Sequence, residues 1–155
     1  MKFTIVTIGH RLPDWANEAC EDFLKRFPPD WRVEVKALKA EPREGKPVAA
    51  IMQAEAARIE AALERGVRRV VLDERGSRLT SVQLAERADI WLHDGRDVAF
   101  IIGGADGLDP TLKQSADETL RLSDMTLPHA LARVLLIEQL YRAWSLRHNH
   151  PYHRA

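Results

Sequence analysis

The chain ends in its densest set of reactive side chains: residues 147–154 read RHNHPYHR, with three histidines, two arginines and one tyrosine in eight positions. Guanidinium groups hold phosphates, aromatic and imidazole rings stack on an unpaired base, and imidazole or phenol can exchange a proton. The spacing of His148, His150 and His153 also raises metal binding, but no cysteine or acid stands among them, so the expectation is no metal site. A loose terminus is the competing reading for any chain end, although Pro151 and Tyr152 suit a purely solvating tail poorly.

Three bends upstream have pocket chemistry. The apolar run 98–102 (VAFII) ends in Gly103-Gly104, with Gly107 soon after, which predicts a buried strand opening into a tight turn where backbone can approach a ligand. A plain turn remains the alternative for this pattern alone. The second bend, 122–128 (LSDMTLP), follows a short alternating segment at 119–123 and leads into a helix. The third is Leu72-Asp73, at the end of the short run RVVLD and followed by Gly76. In open α/β sheets, ligands sit beyond the carboxyl ends of strands, so such bends can face one another across one cleft.

The elements that must position these groups alternate. Residues 3–8 read as a strand stopped by Gly9. Pro13-Asp14 opens a helix to about Phe27, with Asp14 as N-cap and Trp15, Ala19, Cys20, Phe23 and Phe27 on one face. Residues 31–38 alternate as a half-buried strand, and 39–47 (KAEPREGKP) form a long polar loop whose Arg43 and Lys46 are candidate substrate contacts. A helix over 48–64 carries Ile51, Met52, Ala56, Ile59, Ala62 and Leu63, and Gly66 stops it. Thr80 or Ser81 caps another helix to about His93, before the Asp94-Gly95 turn.

Pro128 suits a first helical position, and from there to about Ser145 the apolar residues Leu131, Val134, Leu135, Ile137, Leu140, Tyr141 and Trp144 recur at helical spacing. That helix is expected to be buried over much of its surface. Arg133, Glu138 and Arg142 interrupt it; the two arginines, nine residues apart, point to roughly opposite faces at about 100° per residue. Solvated or ion-paired arginines are the simpler reading. Strands alternating with helices imply an α/β fold with a mainly parallel sheet, in one domain at 155 residues.

Composition bounds the function. Lys+Arg and Asp+Glu both number 23, so any contact with nucleic acid must come from a local patch, and the tail is a better candidate than the short cluster at 65–69. The single cysteine, Cys20, excludes an intramolecular disulfide and reads as a small buried apolar residue. With no leader and no long apolar run, the chain is expected to be soluble and cytoplasmic, with no membrane partner. Neither GxGxxG after the first strand nor GxxxxGK[ST] occurs, which argues against NAD and ATP.

FIIGGADGL, LSDMTLPHALARVLLIEQLYRAWS and the terminal NHPYHR, together with the opening VTIGHRLPDW, resemble the SPOUT superfamily of RNA methyltransferases. Within it the likeness is to the enzymes that methylate N3 of a pseudouridine in bacterial 23S ribosomal RNA. The resemblance implies an open, mainly parallel sheet with a carboxyl-terminal trefoil knot. It also implies S-adenosyl-L-methionine held by Leu72, Asp73, Gly103, Gly104, Ser123, Asp124, Met125, Thr126, Leu127 and Pro128.

Catalysis would fall to Arg142, Tyr152, His153, Arg154 and His129, positioning the base, stabilising its anion or taking its proton, with no metal needed. Tyr152 and His153 are the candidate proton acceptors. The resemblance further implies a homodimer packed partly through the first and last helices, one subunit's tail completing the other's pocket; Trp15 and Trp144 are interface candidates, and core packing explains them equally well. Competing readings are a SPOUT enzyme acting on transfer RNA or ribose 2′-oxygen, and a non-catalytic ribosome-associated RNA-binding module.

Overall fold

The computed structural model describes residues 1–9 and 11–154. His10, which belongs to the opening motif, and Ala155 lie outside the described residues. Five strands, β1 (Lys2–Ile8), β2 (Arg32–Leu38), β3 (Arg68–Arg78), β4 (Val98–Ile102) and β5 (Glu118–Arg121), form one sheet in the order β2-β1-β4-β3-β5. Every pairing is parallel. Helices α1 (Asp14–Leu24), α2 (Val48–Ala62), α3 (Ser81–Asp94), α4 (Pro110–Gln114) and α5 (His129–Arg147) connect or follow the strands, and a 3-10 turn, Pro151–Arg154, closes the chain.

Side chains alternate across a strand, so the two faces of the sheet carry different residues. Phe3, Ile5, Val70, Phe100 and Ile102 point into the larger core, against α1, α3 and α5, where Ala16, Cys20, Trp91, Ile137 and Leu140 are buried. Val6, Ile8, Val71 and Ile101 point the other way, to Ile59 of α2 and Leu112 of α4. β4 is buried at all five positions, as a continuous apolar run in a central parallel strand requires. After β1 the chain moves outward to β2; after β4 it moves to the opposite edge. The carboxyl ends of β1 and β4 therefore flank a topological switch point, where such sheets open a crevice.

Several expectations are corrected. β3 does not stop at Asp73: it runs to Arg78, with Leu72 and Ser77 both opposite Leu120, so residues 73–76 form a bulge within the strand. Gly76 is needed there, because a Cβ would lie 2.6 Å from the Leu120 carbonyl carbon. Asp14 is the first residue of α1 instead of its cap, Pro13 takes the cap position without a side-chain bond, and the helix ends at Leu24. Trp15 is 53% exposed, and Ala16 is buried in its place.

Pro128 likewise caps α5 from outside, and that helix extends to Arg147. Arg133 is neither solvated nor ion-paired; it is buried and donates to the Gly9 carbonyl at 2.6 Å. Arg68 and Arg69, from the alternative basic cluster, are engaged with Asp94, Glu118 and Glu60. The short α4 has no clear periodic signal in the sequence; Asp109 caps it by accepting from the Thr111 and Leu112 N–H groups. Among the described residues no helix is long and apolar enough to cross a membrane.

Candidate functional site

The carboxyl ends of β1 and β4 and the bulge of β3 enclose a cleft of about 870 Å³. Leu72, Asp73, Gly103, Gly104, Leu127 and His129 line it, so all three bends predicted from sequence meet in one place. A smaller recess of about 210 Å³ shares Leu72, Asp73 and Leu127 and adds Ser123, Met125 and Thr126. Two of the ten predicted ligand residues line neither space. Asp124 faces a neighbouring cleft and pairs with Arg78 at 2.8 Å and Arg121 at 3.0 Å, while Pro128 serves the entry to α5.

Backbone forms much of the wall because there is no room for side chains. A Cβ on Gly103 would stand 2.9 Å from the Gly107 carbonyl carbon and the Leu108 side chain. One on Gly104 would stand 2.9 Å from Glu55 Oε1. Gly107, at φ +83°, folds this loop back so that Gly104 and Gly107 form a β-bridge.

His129 sits where α5 meets the cleft. Its Nε2 is 3.0 Å from Thr7 Oγ1 on β1. Burial, and then the nearby Arg133 cation, pull its pKa below the usual imidazole value, against the opposing effect of a hydrogen bond to the Gly103 backbone. A neutral imidazole thus joins β1 to the glycine turn after β4.

Polar groups tie the loop 39–47 to the cleft. Arg43 makes two bonds to Asp106, at 2.5 and 2.9 Å, and the pair holds the Asp106 carboxyl below its usual pKa. Lys46 pairs with Glu41. Of the two substrate contacts expected in this loop, Arg43 thus reaches a cleft residue and Lys46 stays within the loop. Glu55 of α2, only 6% exposed, accepts from the Glu41 N–H at 3.2 Å and lies against Gly104. Lys113 reaches Asp73 at 3.2 Å.

The second group of predicted residues is elsewhere. Arg142, Tyr152, His153 and Arg154 are not among the residues lining the cleft or its recess. After Asn149, at φ +52°, the tail turns back on α5 and docks there. The Tyr152 hydroxyl donates to Glu138 Oε2 at 2.8 Å, and Arg142 holds the same oxygen at 2.9 Å from below the Tyr152 ring, 5.1 Å from its centre. Burial, and then the Glu138 carboxylate, push the Tyr152 phenol up to about 12. The ring also packs on Tyr141 at 4.8 Å and Phe23 at 6.3 Å. His153 Nδ1 lies 2.9 Å from Ser145 Oγ, and the His153 N–H donates to the same oxygen.

Sequence reasoning gave Glu138 no role beyond interrupting the apolar pattern of α5, and it passed over Glu55, Thr7 and Ser145. Two of these left a signal. Glu138 stands four residues before Arg142, the spacing of a helical ion pair, and Glu55 lies midway between Ile51 and Ile59, on the buried stripe of α2. Thr7 and Ser145 left none.

This parallel α/β sheet, with a glycine-walled cleft at its switch point, is matched over residues 1–153 by the family described as "Predicted SPOUT methyltransferase", and the chain belongs to that family. It is 70% identical, over 99% of both chains, to the Ribosomal RNA large subunit methyltransferase H of Methylibium petroleiphilum. The proteins of the same name from Leptothrix cholodnii and Verminephrobacter eiseniae are 63% and 60% identical over the same share.

Proposed function

We propose that this methyltransferase transfers a methyl group from S-adenosyl-L-methionine to N3 of a pseudouridine in the 23S RNA of the large ribosomal subunit. The observation that carries the donor half is the meeting of three bends in one cleft with exposed backbone. Leu72, Leu127 and Ile102 offer apolar walls for an adenosyl group, and the Gly103-Gly104 segment can bracket it with backbone N–H and C=O. Ser123, Met125 and Thr126 extend the contact surface into the recess. The trefoil knot belongs to the same reading, the carboxyl-terminal segment passing through an earlier loop of the single domain.

The bound donor supplies an electrophilic methyl carbon, and the chain's own residues align the target nitrogen and remove its proton. Arg142 and Arg154 hold the base and its phosphate. Tyr152, kept protonated, acts as a hydrogen-bond donor instead of a base. His153 takes the N3 proton and so leaves an electron pair on N3, which would accept the methyl carbon of a bound donor, the carbon–sulfur electron pair remaining on sulfur. His129 is a positioning group for Gly103.

Because the tail packs on α5, away from the residues lining the cleft, the reading requires a homodimer in which one subunit's tail faces the other's cleft. The relatives' name, carried over the whole chain, supports the RNA substrate. Mass spectrometry of ribosomal RNA from a deletion strain tests it: one methyl group should vanish from a pseudouridine of the large-subunit RNA. Its loss from transfer RNA or from a ribose would overturn the substrate. Calorimetry with S-adenosyl-L-methionine tests the donor, and absence of binding would leave a non-catalytic module.

A further inference from the structure

Ser145 is a polar residue on the buried face of α5, with no measurable exposure, and its hydroxyl has three neighbours. It donates to the His150 carbonyl at 3.0 Å; it accepts from the His153 backbone N–H at 3.2 Å; and it lies 2.9 Å from His153 Nδ1. A hydroxyl has one proton and two lone pairs. The His150 carbonyl can only accept, so the proton goes there. The backbone N–H can only donate, so it takes one lone pair. The remaining lone pair faces Nδ1, and that contact is a hydrogen bond only when Nδ1 carries the proton. Leaving such a partly buried contact unmade is costly.

We infer that Ser145 is a positioning residue that fixes His153 as the Nδ1–H tautomer, so that Nε2 is the unprotonated nitrogen available to accept the N3 proton. This rests on the proposed methyl transfer for its purpose, though not for its geometry. A histidine's hydrogen bond at one nitrogen decides the state of the other. Here the bond comes from the same helix that carries Arg142, so the acceptor and the arginine are set by one rigid element. The 3-10 turn Pro151–Arg154 owes its placement to the same oxygen, since Ser145 binds both its own helix's exit, at His150, and the turn, at His153.

The test is long-range proton–nitrogen NMR on the labelled, ligand-free protein above the imidazole titration range, with His153→Asn identifying the resonance. The wild-type ring should show a protonated Nδ1 and a bare Nε2. Ser145→Ala should move it toward the Nε2–H form while lowering kcat about tenfold or more, with KM for donor and RNA little changed. An Nε2–H ring in the wild type refutes the inference even if the Ser145 variant does not fold, as does an unchanged tautomer in a folded variant. The tautomer readouts need neither donor nor RNA, so they are independent of the proposed function. Full methylation by His153→Asn would refute the acceptor role, whatever the tautomer.

Discussion

At the scale of single residues, protonation states divide the candidate groups. Tyr152 has its phenol raised to about 12, so it is neutral throughout the working range. The chain's other tyrosine is Tyr141. In an ultraviolet pH titration a tyrosinate step near pH 12 should disappear in Tyr152→Phe. Because the folded pKa is raised, the stability Tyr152 provides is complete below about pH 10 and is lost as pH climbs from there toward 12.

His129 is the opposite case. Its folded pKa is depressed, so its contribution is complete above about pH 6.5 and is lost as pH falls below that value. Thermal melting followed down from neutral pH should show a smaller acid loss in His129→Asn than in the wild type. Of the residues proposed from sequence, the chemical types were legible, and their protonation states were not. Those depend on Glu138, Arg133 and Gly103, partners supplied by folding.

At the scale of elements, two local devices fix the chain after β3 and within it. Thr80 and Gln83 form a reciprocal capping box at the start of α3: Thr80 Oγ1 accepts from the Gln83 N–H, and the Gln83 side chain accepts from the Thr80 N–H. Thr80→Ala should cost about 1 kcal/mol, seen as a melting point lower by about 2–4 °C.

The bulge in β3 is more demanding. Gly76→Ala puts a methyl group against the β5 backbone, 2.6 Å from Leu120, and should cost about 1–3 kcal/mol. Hydrogen exchange at β5 and in the 122–128 bend should quicken in that variant while β1 and β4 stay protected. The sequence showed Gly76 as turn punctuation, because a bulge disrupts the alternation from which strands are recognised.

At the scale of the whole molecule, the cleft residues and the candidate residues of the tail do not share a space within one chain. The cleft collects the ends of β1 and β4 and the bulge of β3; the tail is clamped on α5, over Phe23 and Tyr141. A mixing experiment exploits this separation. A subunit lacking residues 149–155 and a subunit carrying Gly103→Val should each be inactive alone, the second because a side chain at 103 meets Gly107 and Leu108. Co-expressed, they should regain part of the methylation if a tail serves its partner's cleft. No recovery in a confirmed mixed dimer would show that the tail acts on its own subunit.

The sequence by itself determined the alternation of strands and helices, the apolar strands at 3–8 and 98–102, a helix cap at Thr80 or Ser81 and the three bends that could hold a ligand. These are set by neighbours within a few residues, which is the range that periodicity and turn chemistry report. Tertiary structure alone decided that those bends face one another and that the tail does not join them within the chain. It also decided that Arg133 is buried beneath Gly9 and that one serine oxygen governs a histidine eight residues away. Each of these depends on packing between segments distant in the chain or on a chain reversal that local pattern does not encode.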